Sequence, residues 1–275
     1  MTGTLYIVST PIGNLEDITL RALRILGEVD LIAAEDTRRS MKLLNHYGIS
    51  KPMISYWGER EKGKSEEIIR KLQAGQTVAL ISDAGTPGIS DPGAVVVRKA
   101  ILENIRVVPV PGPSALIAAL SLSGLPTDVF TFIGFLPPRE AMRQKVLRDL
   151  SLEKNTLVFY EAPHRIIGTL TDMGEIFADR KAALVKEITK IHEEVLRGSI
   201  SEIISALRQT KIAGEYVIIL EGRSERNKVT VADALEEINS LMKKGLRRKE
   251  AVKKIAGEYG LSSKELYGQS LDKIP

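Results

Sequence analysis

The chain has 275 residues, 43% hydrophobic and 27% charged, with a net charge of +4. That length predicts two domains plus an appendage, and the composition an ordinary water-soluble globular protein. No apolar run approaches the roughly 20 residues that cross a bilayer, no basic-then-apolar leader opens the chain, and the absence of cysteine removes disulfides, thiolate catalysis and cysteine-bound zinc. His46, His164 and His192 have no ligand spacing. Neither a metal nor a membrane partner is expected, and the cytoplasm is the expected compartment.

Short β-rich runs alternate with amphipathic helical patterns. TLYIVS (4–9), DLIAAE (30–35), TVALIS (77–82) and RVVPV (106–110) come first, followed by VFTFIGF (129–135), NTLVFYE (155–161), AALVKEI (182–188) and YVIILEG (216–222). Segments such as ITLRALRIL, SEEIIRKLQAG and HRIIGTLTDMGEI lie between them. The alternation predicts an α/β architecture with largely parallel sheets. Turn-rich PGPSA and GFLPPRE mark the hand-over between two α/β domains, spanning 1–112 and 113–225.

Beyond the polar SERNKVT, the stretches VADALEEINSLMKKG, RRKEAVKKIAGEYG and SSKELYGQ read as helices ending in or near glycine. They predict a small helical, helix-turn-helix-like unit over 229–275. Ala251, Val252, Ile255 and Ala256 recur at helical spacing, with Leu261 and Leu266 closing a small core across a Gly260 turn. From Lys243 to Lys254 seven cations, Lys244 among them, face only Glu250, a local net of +6. Such a run fits a solvated helical face or a phosphate-rich partner.

Three Gly/Pro loops follow apolar runs: STPIGN (9–14), SDAGTPGISDPG (82–93) and PVPGPSA (109–115). Glycine admits close backbone approach and proline fixes φ, so such loops form rigid cradles, and in open α/β sheets ligands bind at the carboxyl ends of strands. Three loops at one edge point to a ligand cleft. None spells G-x-G-x-x-G, so a nicotinamide dinucleotide is not expected. GEREKGKS (58–65) matches the G-x-x-x-x-G-K-[ST] pattern, but Glu59 and Glu61 would repel phosphate. It reads instead as a charged loop ahead of a helix capped by Ser65.

YIVSTPIGNLEDITLRAL, IAAEDTR, ALISDAGTPGISDPG, VPGPSA, FYEAPHR, KEITKIHEE and EYGLSSKELY together resemble the ribosomal RNA small subunit methyltransferase I family, a branch of the tetrapyrrole methylase superfamily. The resemblance implies two α/β domains with S-adenosylmethionine in the cleft between them, plus the small C-terminal helical unit. It also implies a homodimer that methylates the ribose 2′-oxygen of a cytidine in the decoding region of 16S rRNA, within the small ribosomal subunit. Carried over position by position, the superfamily's G-D-P stretch matches Gly85, Thr86 and Pro87, with Ile89 and Ser90 facing the cofactor. Ser114, Ala115, Phe159 and Tyr160 match further contacts. Pro11 and Gly13 complete the candidate cofactor set, although TPIGN departs from the superfamily's G-x-G-x-G-D.

A ribose hydroxyl is a poor nucleophile, so methyl transfer gains from in-line positioning and from a group acting on the hydroxyl proton. Glu35, Asp36 and Arg38 follow the second strand, Glu161 and Arg165 flank EAPHR, and Lys186 and Glu187 end AALVKE. Asp36 and Glu187 are candidate bases, and Lys186 joins them as a candidate catalytic residue. Arg38, Arg165 and Lys186 are candidate phosphate or ribose contacts, with Arg247, Arg248 and Lys249 as RNA contacts in the tail. His164 fits a helix cap or an RNA contact equally. A tetrapyrrole substrate, or a ligand-sensing helix-turn-helix regulator, are the alternatives.

Overall fold

A computed structural model describes residues 2–58, 61–223, 231–243, 245–259 and 261–273. The chain from Met1 to Gly222 forms one compact unit and that from Arg223 to Pro275 a second.

The first sheet contains β1 (Thr4–Val8), β2 (Leu31–Ala34), β3 (Met53–Ser55), β4 (Val78–Ile81) and β5 (Arg106–Val110). The order is β3-β2-β4-β1-β5, with every neighbouring pair parallel. Around it are α1 (Leu20–Glu28), α2 (Thr37–His46), α3 (Glu61–Gln73) and α4 (Ala94–Leu102). Ile32, Ala79 and Ile81 pack with Leu26 and Leu44 of α1 and α2, whereas Ala33, Val78 and Leu80 pack with Ile68, Leu72 and Val96 of α3 and α4. Covered on both faces, LIAA and VALI are buried at every position and therefore read as unbroken apolar runs. β3 escaped the sequence pattern because it is a three-residue edge strand that is nowhere fully buried.

The second sheet contains β6 (Phe130–Phe135), β7 (Thr156–Glu161), β8 (Lys181–Lys186), β9 (Glu194–Ser199) and β10 (Tyr216–Leu220), in the order β6-β7-β10-β8-β9. Here the expectation of a largely parallel sheet fails: β6 and β7 are parallel, but β10 runs antiparallel to both β7 and β8, and β9 is antiparallel to β8. The reason is connection length. Residues 187–193 separate β8 from β9, fewer than the dozen or so that a parallel crossover needs. β9, with the sequence EVLRGS, is a half-buried edge strand and carries no apolar run to betray it.

One face of this sheet is covered by α6 (Glu140–Asp149), α7 (Ile166–Phe177) and α8 (Ile200–Leu207), the other by α5 (Ala115–Ser123). α5 follows directly on the loop after β5, so it carries the chain from the first sheet onto the second, and it ends at Gly124, where φ is +74°. Strand alternation sends Leu157 and Phe159 to the α6–α8 side and Val158 and Tyr160 to the α5 side. β10 is buried at all five positions, each large apolar side chain being worth about 1.5–3 kcal/mol.

In the second unit, α9 (Val231–Lys243), α10 (Arg248–Tyr259) and α11 (Ser263–Lys273) enclose a core of their own. Ala251, Val252, Ile255, Ala256 and Leu266 are buried in it and Leu261 is partly buried, the stripe that helical spacing predicts. SERNKVT, Lys244 and Gly260 lie outside the described residues. Among the described residues no helix is long and apolar enough to cross a membrane.

Candidate active site

The three Gly/Pro loops leave β1 and its two neighbours, β4 and β5, at their carboxyl ends, and they are stitched together. The Thr10 amide donates to the Gly85 carbonyl at 2.9 Å and the Gly85 amide to the Thr10 carbonyl at 3.0 Å. The Thr10 hydroxyl donates to the Ser82 carbonyl at 3.0 Å, and the hydroxyls of Ser9 and Thr86 lie 2.8 Å apart. The first loop also reaches the turn between β8 and β9: the Asn14 amide donates to the Thr189 hydroxyl oxygen at 3.1 Å. A Cβ on Gly13 would stand 2.4 Å from Lys190 Cγ, so only glycine lets that contact form.

Between the loops and the second sheet lies a cavity of about 490 Å3, within the range of pockets that enclose a drug-sized molecule. Ile12, Ile89, Ala115, Phe135, Ile188 and Val217 supply apolar wall. Thr86, Ser90 and Ser114 add hydroxyls, Asp91 and Glu215 carboxylates. α5 begins at this wall, with Ser114 at its N-cap and making no side-chain cap bond, and a helix N-terminus favours an anionic group. A zwitterionic amino acid attached to a flat apolar ring system would find partners for each of its parts.

Of the expected cofactor contacts, Gly85, Thr86, Ile89, Ser90, Ser114, Ala115 and Tyr160 line the cavity. Tyr160 is held edge-to-face by Phe132 and Phe135, with ring centroids 5.0 and 5.6 Å away. Pro11, Gly13 and Pro87 are in the surrounding loops but not on the wall. Phe159 is a correction: it is fully buried in the core on the opposite face of the sheet, because neighbouring strand residues point opposite ways.

Of the candidate charged residues, Glu161 lines the cavity, whereas Asp36, Lys186 and Glu187 are not on its wall. Asp36 caps α2, accepting from the Arg38 amide at 2.9 Å, and pairs with the Arg38 guanidinium at 3.0 Å. Those bonds hold its carboxyl at about 2, too weak a base to take a hydroxyl proton efficiently. Lys186 pairs with Glu194 at 3.5 Å. Glu187, at φ +51°, accepts from the Glu215 amide at 2.9 Å and pairs with Lys190 at 2.8 Å. Burial opposes its charge, but the Lys190 ammonium and the Glu215 amide outweigh burial and lower its carboxyl. It ties the 187–190 turn to the cavity wall at Gly214. Neither expected base stands free.

Arg165 corrects a second expectation. Its side chain is 17% exposed and spent on Glu161 and on the Leu136 carbonyl at 2.7 Å, so it is an internal strut rather than an RNA contact. His164 is exposed and Arg165 is the N-cap of α7, so His164 is not that helix's cap. Arg38 is 88% exposed. In the second unit Arg247 and Lys249 are exposed, while Arg248 donates to the Ser270 carbonyl at 2.9 Å.

GEREKGKS is no phosphate loop. Gly63, Lys64 and Ser65 lie inside α3, which starts at Glu61, and Lys64 pairs with Glu67 at 2.7 Å. Ser65 is buried beside the Tyr56 hydroxyl at 3.0 Å and does not cap the helix; residues 59–60 lie outside the described residues.

Sequence reading missed Asp91, Phe135 and the segment Gly214–Val217. The last was hidden by the assumption of parallel strands. Because β10 is antiparallel to β7 and β8, its amino end, not its carboxyl end, meets Glu161 and Lys186 at the cavity edge. Glycine and a charged residue just before the apolar run YVIIL were the available signal.

Residues 4–204 match the family model described as Tetrapyrrole (Corrin/Porphyrin) Methylases. The ribosomal RNA small subunit methyltransferase I of Synechocystis sp. is 45% identical over 273 residues, covering 98% of each chain. The protein of the same name from Thermotoga maritima is 49% identical over 221 residues, 80% of this chain and 99% of that one. Among solved structures, uroporphyrin-III C-methyltransferase from Thermus thermophilus, complexed with S-adenosylhomocysteine, shares the fold with a TM-score of 0.56 at 20% identity, covering 80% of this chain and 97% of that one. With sequence, sheet topology and loop-built cavity in agreement, the chain belongs to the ribosomal RNA small subunit methyltransferase I family of tetrapyrrole methylases.

Proposed function

We propose that the protein transfers a methyl group from S-adenosylmethionine to the ribose 2′-oxygen of a cytidine in the decoding region of 16S rRNA, acting on the small ribosomal subunit in the cytoplasm as a homodimer. The near-full-length likeness to relatives named as small-subunit rRNA methyltransferases carries this reading. The cavity supports the cofactor: the Glu215 carboxylate suits the ammonium charge, the start of α5 suits the carboxylate, and the apolar wall suits the adenine. When bound, S-adenosylmethionine supplies an activated methyl group on a positively charged sulfur.

Part of the chain's own contribution is positional. Gly85, at φ +76°, brings backbone to the cavity where a side chain would intrude. Thr86 is held by Ser9, and Tyr160 by its two aromatic neighbours, so the walls are fixed before a ligand arrives, which is where positional catalysis gains. Exposed Arg38 and Arg39 at the start of α2 offer phosphate contacts beside the same sheet edge. A tetrapyrrole substrate is not favoured, because the tetrapyrrole enzyme compared above shares only the fold at 20% identity.

The test is methyl transfer from labelled S-adenosylmethionine to small subunits, naked 16S rRNA and a porphyrin precursor. A 2′-O-methyl group protects the adjoining phosphodiester from alkali, so one protected cytidine in the decoding region is expected. Methylation of a base, or of the porphyrin alone, would overturn the proposal.

A further inference from the structure

We infer that Asp91 accepts the ribose hydroxyl proton, the catalytic base of the reaction proposed above, on which this assignment rests. Among the described residues, three with carboxylates line the cavity: Asp91, Glu161 and Glu215. The Glu161 side chain is 0% exposed and saturated, by the Ala162 amide at 2.8 Å, the Thr169 hydroxyl at 2.6 Å and the Arg165 guanidinium. Glu215 is paired with Lys190 at 3.0 Å and 78% exposed. Asp91 is partly buried and, among the described residues, pairs with no lysine, arginine or histidine. Among the described residues it is the cavity carboxylate left without a cation.

Its setting is built. Gly88, Ser90 and Gly93 have φ of +83°, +64° and +144°, and the Gly88 amide donates to the Pro92 carbonyl at 3.2 Å, closing the loop around Asp91. A left-handed serine costs energy, and such strain persists where the surroundings enforce it. Behind Asp91 stand two further carboxylates. Glu35, after β2, accepts from the Asp83 amide at 3.1 Å, and Asp83 accepts from the Asp36 amide at 3.0 Å and pairs with Arg39 at 3.2 Å. Tyr160 faces it from β7, its own hydroxyl raised first by burial and further by Asp91. Burial, followed by the Glu35 charge and with Asp83 adding, pushes the Asp91 carboxyl up to about 6 against the Ser82 hydroxyl, which pulls it down. Such a group is ionised at neutral pH yet a far better base than an ordinary carboxylate.

As the 2′-oxygen forms its bond to the methyl carbon, the carbon–sulfur bond breaks with its electron pair passing to sulfur. The hydroxyl proton passes to the Asp91 carboxylate, which returns it to solvent once the product leaves. The sulfonium charge disappears and one proton is released, so charge balances.

The experiment compares wild type, Asp91→Asn and Asp91→Glu for three quantities: alkali-resistant methylation of 16S rRNA against pH, S-adenosylmethionine affinity by calorimetry, and thermal unfolding against pH. Asp91→Asn should lower kcat by about 10²–10⁴ with the cofactor Kd changed by less than about threefold, and Asp91→Glu should recover part of the rate. The wild-type rate should climb through the titration of Asp91 and level off above it; Asp91→Asn should lose that limb. A carboxyl raised on folding contributes stability that is present below its unfolded pKa and lost as pH rises through its folded value. Asp91→Asn should therefore melt above wild type at pH 8, with the gap closing near pH 4.

An Asp91→Asn enzyme within a few-fold of the wild-type rate, or a wild-type rate without the limb, would overturn the role of Asp91 while leaving 2′-O-methylation standing. A loss of cofactor affinity in proportion to rate would make Asp91 a cofactor contact instead. Wild type that binds S-adenosylmethionine yet leaves every rRNA ribose unmethylated would overturn both readings. Should Asp91→Asn not fold, the wild-type pH profile and Asp91→Glu still decide.

Discussion

Thr10 and Gly85 exchange two backbone hydrogen bonds, of 2.9 and 3.0 Å, although 75 positions apart, and this single antiparallel bridge joins the loops after β1 and β4. Gly85 can sit there because its φ of +76° carries no Cβ penalty. A Cβ would meet Ile12 Cγ2 at 3.5 Å, an ordinary contact, so the obstacle is the backbone conformation and whatever projects beyond Cβ. Gly85→Ala should cost about 1–2 kcal/mol in urea unfolding. Gly85→Val, β-branched and aimed at Ile12 and the cavity, should lower S-adenosylmethionine affinity at least tenfold by calorimetry while the protein stays folded. Undiminished affinity would remove this loop from the cofactor site.

Glu187 and Gly214 make a second pair that can be tested against itself. A Cβ on Gly214 would stand 2.3 Å from Glu187 Oε1, and Gly214 lies on the cavity wall at φ +85°. Gly214→Ala should both destabilise the protein and weaken cofactor binding. Adding Glu187→Ala removes the clash, so the double variant should recover part of the affinity that Gly214→Ala forfeits, a coupling of roughly 0.5–3 kcal/mol. Additive effects would mean that the backbone conformation of Gly214, rather than its approach to Glu187, sets the wall.

Lys64 offers the opposite expectation. Its ammonium is partly exposed and pairs with Glu67 one helical turn on, an interaction worth no more than about 1 kcal/mol. Lys64→Ala should change stability by less than that and leave methyl transfer nearly intact, and wild type should show no saturable ATP binding. Tight magnesium-dependent ATP binding that disappears in Lys64→Ala would restore the phosphate-loop reading.

What the sequence made legible follows from burial. LIAA, VALI and YVIIL are wholly buried and announce themselves as apolar runs, and the Gly/Pro loops after β1, β4 and β5 mark the ligand edge of the first sheet. β3 and β9 are half-buried edges and do not. Strand direction in the second sheet is set by connection length and by neighbours distant in sequence, so the amino end of β10 was not expected at the cavity. Within FYE the position was legible but the facing was not: Tyr160 points to the cavity, Phe159 and the Glu161 side chain to the α7 side. In the sequence Asp91 is one more polar residue of the SDAGTPGISDPG loop. Only the fold buries it and sets it against Glu35, 56 positions earlier, and so raises its carboxyl.

The helical unit supplies the last prediction. Its apolar stripe is consumed by its own core, which leaves Arg247, Lys249, Lys253 and Lys254 exposed on and beside α10, whereas Arg248 is engaged with the Ser270 carbonyl. The Thermotoga maritima relative aligns over 99% of its length with only 80% of this chain, so a protein of that name has no counterpart to the remaining fifth. Residues Met1–Gly222 form a compact unit containing the whole cavity wall. A chain ending at Arg223 should therefore keep its S-adenosylmethionine affinity within about twofold. If the exposed cations meet phosphate, the same chain should bind rRNA more weakly, and the fall of log K with log salt should be shallower by about 0.7 for each single-strand phosphate that is no longer neutralised, because fewer counterions are released. The measurement is rRNA affinity across a salt series for the full and shortened chains. Equal affinities with equal slopes would make those cations a solvated face and assign the helical unit to assembly or stability.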